Sequence, residues 1–313
     1  MKCGSEKNNG WGTPLIWACI QALIHRFGKG RYATFATHKA HLTHFVEWLK
    51  SQNINDIMCV TKKDLLAYAK YVQQKHSNSY ARNLISSANI IIESVREDRK
   101  VRLNPSEVLE RRQSARTKMP AGLNIDKVEQ AAEALTDKGY PRIATLILLI
   151  RHFGLRLKEG CLLDLRVALR QAKKYGKIDV RRGTKGGRGR KVERWVPASE
   201  QAMGVLAQAQ VFCSKETGSL IPFDLRAIQF MRLVKREWRE VRDKFGLSKI
   251  HDLRAAFACD RYKQLTGHDA PVCNGGDSYA TKEQDREARD VIVKEIGHGS
   301  RWRMAPYVGR ALR

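Results

Sequence analysis

No run of apolar residues in this sequence approaches the ~20 that a membrane-spanning helix needs. The opening Met1-Lys2-Cys3-Gly4-Ser5 lacks the apolar core of a secretory signal, and neither a basic amphipathic anchor nor a lipidation motif is found. A membrane is therefore not an expected partner. Cysteine pairs are missing too: Cys3, Cys19, Cys59, Cys161, Cys213, Cys259 and Cys273 are odd in number, scattered and never spaced as CxxC. That pattern fits reduced thiols in a cytosol, each a small buried hydrophobe, better than a disulfide framework or a zinc site. No acidic triad for Mg²⁺ stands out, which argues against metal-dependent nucleases and transposases. His38, His41 and His44 recur every third residue, yet no carboxylate or cysteine cluster completes a metal site there. A solvated or DNA-facing stripe is the expectation for them. Neither a metal nor a cofactor is expected.

Acid is the scarce charge. The 32 acidic side chains face 58 basic ones, a formal net charge of +26 over 313 residues. A field of that sign draws polyanions, and nucleic acid is the usual one. The length suffices for two domains, each with its own core, and an apolar content of 42% is ordinary for a globular chain.

From Pro14 to Asp98 the pattern is helical, with no strand suggested. Leu42, Phe45, Val46 and Leu49 form one apolar stripe on a helix ending near Lys50. Thr61 with Asp64 reads as an N-cap and first-turn acid, opening a helix through Leu65, Tyr68, Ala69 and Val72. A further helix carries Leu84, Ala88, Ile91, Ile92 and Val95, and Leu15 to Ile24 completes a small bundle of four. Asn104-Pro105 ends that run. The stretch 111–122, with Pro120, Gly122 and the basic Arg111, Arg112, Arg116 and Lys118, reads as a linker able to lie along phosphates. Beyond it, 124–138 and 141–153 read as helices, Gly154 breaks the second, and a new helix follows from Arg156. Residues 177–182 and 192–197 look like two short strands joined by a basic turn. Helices at 225–245, 251–265 and 281–296 complete a mostly helical second domain with one small hairpin.

Several residue groups in this second part suit attack on a phosphodiester. Arginine stays charged and grips phosphate oxygens in a bidentate fork; Arg156, just after Gly154, and Arg254, within His251-Asp252-Leu253-Arg254, are the candidates. Glu159, three residues beyond Arg156, is placed to orient it. His251 suits accepting a nucleophile's proton or holding a phosphate oxygen, with a capping or core histidine as the bland alternative. The glycine-rich turn from Arg181 to Arg194 holds Arg181, Arg182, Lys185, Arg188, Arg190, Lys191 and Arg194 against one acid, Glu193. It lacks the Gly-Lys-Ser/Thr closure of a P-loop and reads as a basic finger for a DNA groove. Lys185 near its tip is the candidate donor of a proton to a departing oxygen, with Lys191 its rival. Tyr307 stands nine positions after His298 of Gly297-His298-Gly299. A free phenol has a pKa of ~10 and needs nearby cations to become a nucleophile; His298, Arg301 and Arg303 supply them.

These boxes, in this order, resemble the tyrosine recombinases, or phage-type integrases. Gly154 to Glu159, the Lys185 turn, His251 to Phe257, and Ile296-Gly297-His298 with Tyr307 match the family's sequence boxes, and the resemblance covers most of the chain. It implies a mainly α fold: residues 1–110 as a SAM-like four-helix core-binding domain, 111–122 as a basic linker, and 123–313 as a catalytic domain with a small β-hairpin. It further implies that Tyr307 attacks the scissile phosphate to form a 3′-phosphotyrosine, that Arg156, Arg254, His251 and His298 surround the phosphate, and that Lys185 protonates the leaving oxygen. Arg181, Arg182, Arg188, Arg190, Lys191, Arg112, Arg116 and Lys118 would touch DNA. Implied partners are duplex attachment sites, a homo-tetramer across two duplexes, and accessory DNA-bending or directionality factors, in a bacterial cytoplasm at the nucleoid. The stretch from Arg254 to His298 is longer than is typical, and six residues follow Tyr307, where many relatives continue into a subunit-docking helix. Type IB topoisomerase-like strand relaxation and a non-catalytic DNA-binding protein are the rival readings.

Overall fold

The computed structural model describes residues 2–28, 31–110, 115–185, 189 and 191–310. Two compact units divide the chain, Met1–Gln113 and Ser114–Arg313. Helices dominate both.

The first unit holds α1 (Leu15–Phe27), α2 (Tyr32–Ser51), α3 (Lys62–Lys75) and α4 (Asn78–Arg96). The stripe on α2 buries Leu42, Phe45, Val46 and Leu49 against Leu65, Tyr68 and Val72 of α3 and the apolar face of α4. Thr61 and Asp64 form a reciprocal capping box that starts α3; a cap of this kind contributes about 1 kcal/mol. The histidine stripe departs from expectation. His38 and His41 both bond Ser87 Oγ, at 3.0 and 2.7 Å, and His44 lies edge-on to His76 and Tyr80. These rings are packed within the unit rather than standing free in solvent.

The second unit is built around two largely buried helices. In α6 (Pro141–Phe153), Ile143, Leu146, Ile147, Leu149, Ile150 and Phe153 are buried. In α11 (Ile250–Thr266), an unbroken run from Asp252 to Cys259 is buried. Around them lie α5 (Ile125–Asp137), α7 (Leu157–Leu162), α8 (Leu165–Tyr175), α9 (Glu200–Gln208), α10 (Ala227–Arg242), α12 (Lys282–Glu295) and the short α13 (Ala305–Val308). One antiparallel hairpin joins β1 (Lys177–Asp179) to β2 (Trp195–Pro197), with Ile178 opposite Val196. The strands are shorter than expected because Val180 and Arg194 continue the pairing through a single bond, Val180 N–H to Arg194 C=O. Helices α8 and α9 were not anticipated, although Asp164 and Ser199 cap them at 3.2 Å each.

Gly154 is the joint on which the site turns. It ends α6 in the left-handed conformation, φ 56°, and a Cβ there would overlap the Phe257 ring of α11. Backbone strain and overpacking act together at such a position. Gly154→Ala should therefore lower the unfolding free energy by about 1–3 kcal/mol in urea denaturation, and an unchanged midpoint would contradict this packing.

Candidate active site

The turn after Gly154 places Arg156 at the mouth of α7 and Glu159 inside it. Glu159 is fully buried. Its carboxylate receives the Arg156 backbone N–H at 2.7 Å and the Arg156 guanidinium at 2.5 Å. Arg254, from the second turn of α11, lies 3.4 Å away and also donates to the carbonyls of Gly154 and Ile296. A third guanidinium completes the cluster. Arg194 Nη1 stands 2.7 Å from Glu159 Oε2, while its Nε donates to Glu295 O at 2.6 Å and its Nη2 to Gly154 O at 3.3 Å.

Three cations on one anion leave two positive charges without a partner inside the cluster. Burial alone would raise the Glu159 pKa, but Arg194, Arg254 and Arg156 outweigh it and hold the carboxyl down at about 2. Burial and the neighbouring Arg194 and Arg156 bring Arg254 down to about 10, so it stays charged at neutral pH. Such a preorganised, part-desolvated cationic cluster suits an anionic oxygen.

Tyr307 lies against this cluster. Its helix α13 is a single turn, and the residue is 5% exposed. The Arg254 guanidinium sits 5.8 Å from the ring centroid. The hydroxyl is 3.0 Å from His298 Nε2 and 3.4 Å from His251 Nε2. Arg156 Nη2 also approaches His298 Nε2, at 3.5 Å. Arginine can only donate, so this contact makes Nε2 the unprotonated nitrogen, facing the phenol as a proton acceptor. His298 is held neutral by burial and by Arg254, Arg156, Arg303 and Arg194, at about 3; His251 is lowered by burial, then by Arg254, Arg156 and Arg116.

Local backbone explains why His298 points there. Gly297 closes α12 at φ 63°, the His298 N–H reaches Val293 O at 2.8 Å, and the space a Gly297 Cβ would need is filled by the Arg194 side chain. On the other side, Asp252 pins the segment leading into the unit. It binds the Arg116 guanidinium and the Gly122 N–H, while the Arg116 N–H donates to Ala305 O at 2.8 Å.

The structure thus brings together Arg156, Glu159, His251, Arg254, His298 and Tyr307. Lys185 is exposed and lines a cleft of about 780 Å³ with Arg156, Thr184, Arg194, Trp195 and His298. Lys191 is exposed and does not line that cleft. Arg181 is tied to Asp179 and, at 2.8 Å, to Glu193, and Arg182 lies 3.3 Å from Asp164. Lys118 is exposed, and Arg116 is engaged with Asp252. Arg112, Arg188 and Arg190 lie outside the described residues. Sequence reading missed Arg194 by counting it among the finger's cations. Its signal was strand alternation: two residues before the buried Val196, it shares that inward face.

The buried carboxylate gives a pH signature. Its pKa is depressed on folding, so its stabilisation is fully present above about 4.5 and is lost as pH falls toward about 2. Glu159→Gln should cost about 3–5 kcal/mol near neutral pH, the usual cost of leaving buried charge unpaired. In calorimetric scans the gap between Glu159→Gln and the parent should close as pH drops through that window. Parallel curves at all pH values would contradict the arrangement.

The integrase family model matches residues 114–260. No curated protein matches the chain. Among solved structures, the fold is similar to a lambda integrase dimer bound to a COC′ core site, at TM-score 0.59, 17% identity and 93% of each chain covered. It is similar as well to the Tn1549 transposon integrase with transposon right end DNA, at TM-score 0.58, 15% identity, and 94% and 95% of the two chains. A third likeness is XerH recombinase on a palindromic difH substrate, at TM-score 0.62 and 16% identity, covering 93% of this chain and 80% of that one. Identities this low establish a common fold of two helical units with a small C-terminal hairpin. The integrase match spans the segment from the linker to α11, and the fold of the chain is similar to those of these integrases and this site-specific recombinase.

Proposed function

We propose that this protein is a site-specific DNA recombinase that integrates or excises a bacterial mobile element or prophage. Tyr307 Oη attacks the scissile phosphorus, the bond to the 5′ oxygen breaks, and a 3′-phosphotyrosine with a free 5′ hydroxyl results. His298, with His251 beside it, takes the phenolic proton. Arg156 and Arg254 hold the non-bridging oxygens, Glu159 orients both, and Lys185 protonates the leaving oxygen. The phosphotyrosine conserves the bond energy, so rejoining to a second strand needs neither ATP nor a metal.

The observation that supports this reading is the meeting of one phenol, two neutral imidazoles and the Glu159-bound guanidiniums within hydrogen-bond range. An imidazole held near 3 is a weak base. A phosphodiester beside it adds negative charge, opposes the arginines and raises the basicity of His298 as the substrate arrives. The Tyr307 ring covers Arg254, so a phosphate reaches that guanidinium as the ring shifts aside.

Residues 1–110 serve as a SAM-like core-binding domain, 111–122 as a basic linker and 123–313 as the catalytic domain. Arg112, Arg116, Lys118, Arg181, Arg182, Arg188, Arg190 and Lys191 contribute phosphate contacts, with Arg116, Arg181 and Arg182 exchanging their carboxylate partners for DNA. The working assembly is a homo-tetramer on two attachment-site duplexes, with accessory bending or directionality factors, at the nucleoid.

A duplex nicked beside the cleavage site should trap a covalent complex. Arg156→Ala should slow its formation by about 10²–10³ with little change in DNA affinity. Arg254 is a buried keystone as well as a ligand, so Arg254→Lys is the informative variant there. Two-site substrates should yield exchanged products; relaxation of supercoils without exchange would favour a topoisomerase, and binding without any adduct would leave only a DNA-binding protein.

A further inference from the structure

The helix that carries Tyr307 cannot stand by its own bonds. α13 is four residues long, and a first turn of helix fixes about three residues for a single hydrogen bond. Its geometry is therefore imposed from outside, by groups that hold its carbonyls. Ala305 O accepts the Arg116 N–H at 2.8 Å, and Tyr307 O accepts from the Cys259 thiol at 3.6 Å. Past the tyrosine, one guanidinium takes the next two. Arg289 donates from Nη1 to Gly309 O at 3.1 Å and from Nη2 to Arg310 O at 2.7 Å. Bonds from a charged donor are the stronger kind, so this is the firmest hold on the segment.

Arg289 is built in for that task. It lies on α12 and is 1% exposed. Its Nε faces both oxygens of Asp285, one turn earlier on the same helix, at 2.9 and 2.8 Å. Asp285 is buried too, and accepts the Tyr262 hydroxyl of α11 at 2.8 Å. Burial pushes the Tyr262 phenol up to about 12, so it remains a donor at neutral pH. The carboxylate offsets the buried cation and, by holding Nε, aims both Nη groups at the chain just beyond Tyr307. Gly309 adds a steric stop. At φ 93° it packs so closely on Val272 N and Pro271 that a Cβ would meet them.

From this arrangement we infer that Arg289, oriented by Asp285, is a positioning residue for strand cleavage: it fixes the backbone behind Tyr307 and keeps the phenolic oxygen at His298 and His251. The inference rests on Tyr307 being the nucleophile for its effect on rate, but not for the anchoring itself. A fixed backbone still lets the ring turn about its side-chain bonds, as it must to uncover Arg254. A lysine at 289 keeps the charge but offers one nitrogen on a flexible stem. It cannot serve Asp285 and two carbonyls in the plane that a guanidinium spans. In-line attack tolerates little slack; about 1 Å of misplacement can cost roughly 10²-fold in rate.

The test compares the full chain with Arg289→Lys and Asp285→Asn. Arg142→Lys is the control, since Arg142 holds the carbonyls of Phe212 and Leu220 from the far end of α6. Adduct formation at saturating nicked DNA should fall about 10²-fold in Arg289→Lys, and in the same direction in Asp285→Asn, with the half-saturating DNA concentration unchanged. Hydrogen–deuterium exchange should quicken over residues 305–310 while α6 and α11 keep their protection. Arg142→Lys should retain the parental rate. An unchanged rate in Arg289→Lys would overturn the inference. So would protection lost across α6 and α11 as well, a loss confined to DNA affinity, or an equal fall in Arg142→Lys. A parent that forms no adduct would instead remove the recombinase reading, while exchange over 305–310 would still decide whether Arg289 holds the segment.

Discussion

A single buried carboxylate sets the geometry of this protein's chemical centre. Glu159 has no solvent access and is shared by Arg156, Arg194 and Arg254, which arrive from α7, from the edge of the hairpin and from α11. Removing such an anion from water is costly, and only close cations offset the cost. Here the compensation exceeds neutrality. The site keeps excess positive charge in an apolar surround, where its effect on an arriving anion is screened far less than on the surface. The same guanidiniums close the backbone around them: Arg194 and Arg254 both cap the Gly154 carbonyl at the end of α6, and Arg254 holds Ile296 at the end of α12. Charge placement and helix placement are thus one construction.

That construction accounts for how the tyrosine proposed as the nucleophile can be buried. The phenol rests over Arg254, with two imidazoles at its hydroxyl. Guanidiniums that would bind a phosphate also keep those imidazoles neutral, so the proton acceptors are ready before any substrate charge is present. Arg194 adds a mechanical link. It leads directly into β2, so the hairpin carrying Lys185 is tied at its base to the carboxylate that orients Arg156.

Much of this was legible in the sequence, and the reasons differ by residue. Thr61 with Asp64 announced α3 because a capping box is a local, four-residue signal. Pro141 and Gly154 bracketed α6 because one ring and one missing Cβ act where they stand. Arg156, Glu159, His251, Arg254, His298 and Tyr307 were found through spacing within short boxes. Arg194 was counted with the finger and Asp252 was given no role, since nothing within a few residues of either reveals a partner that lies far along the chain. Arg181 and Arg182 of the finger were read as DNA-facing for a related cause. Counting cations cannot distinguish Arg181 and Arg182, which pair with Asp179 and Asp164, from Lys185, which opens to the cleft. Likewise, histidines at every third position of α2 gave no hint of Ser87 on α4.

Everything proposed for the chemistry comes down to which atom becomes bonded to phosphorus. The direct measurement is to trap the protein on nicked duplex DNA, digest both components, and sequence the nucleotide-bearing peptide by mass spectrometry. The account requires the remnant on the phenolic oxygen of Tyr307, in the peptide that follows Arg303. A remnant on Tyr279, Tyr262 or any residue other than Tyr307 would contradict it.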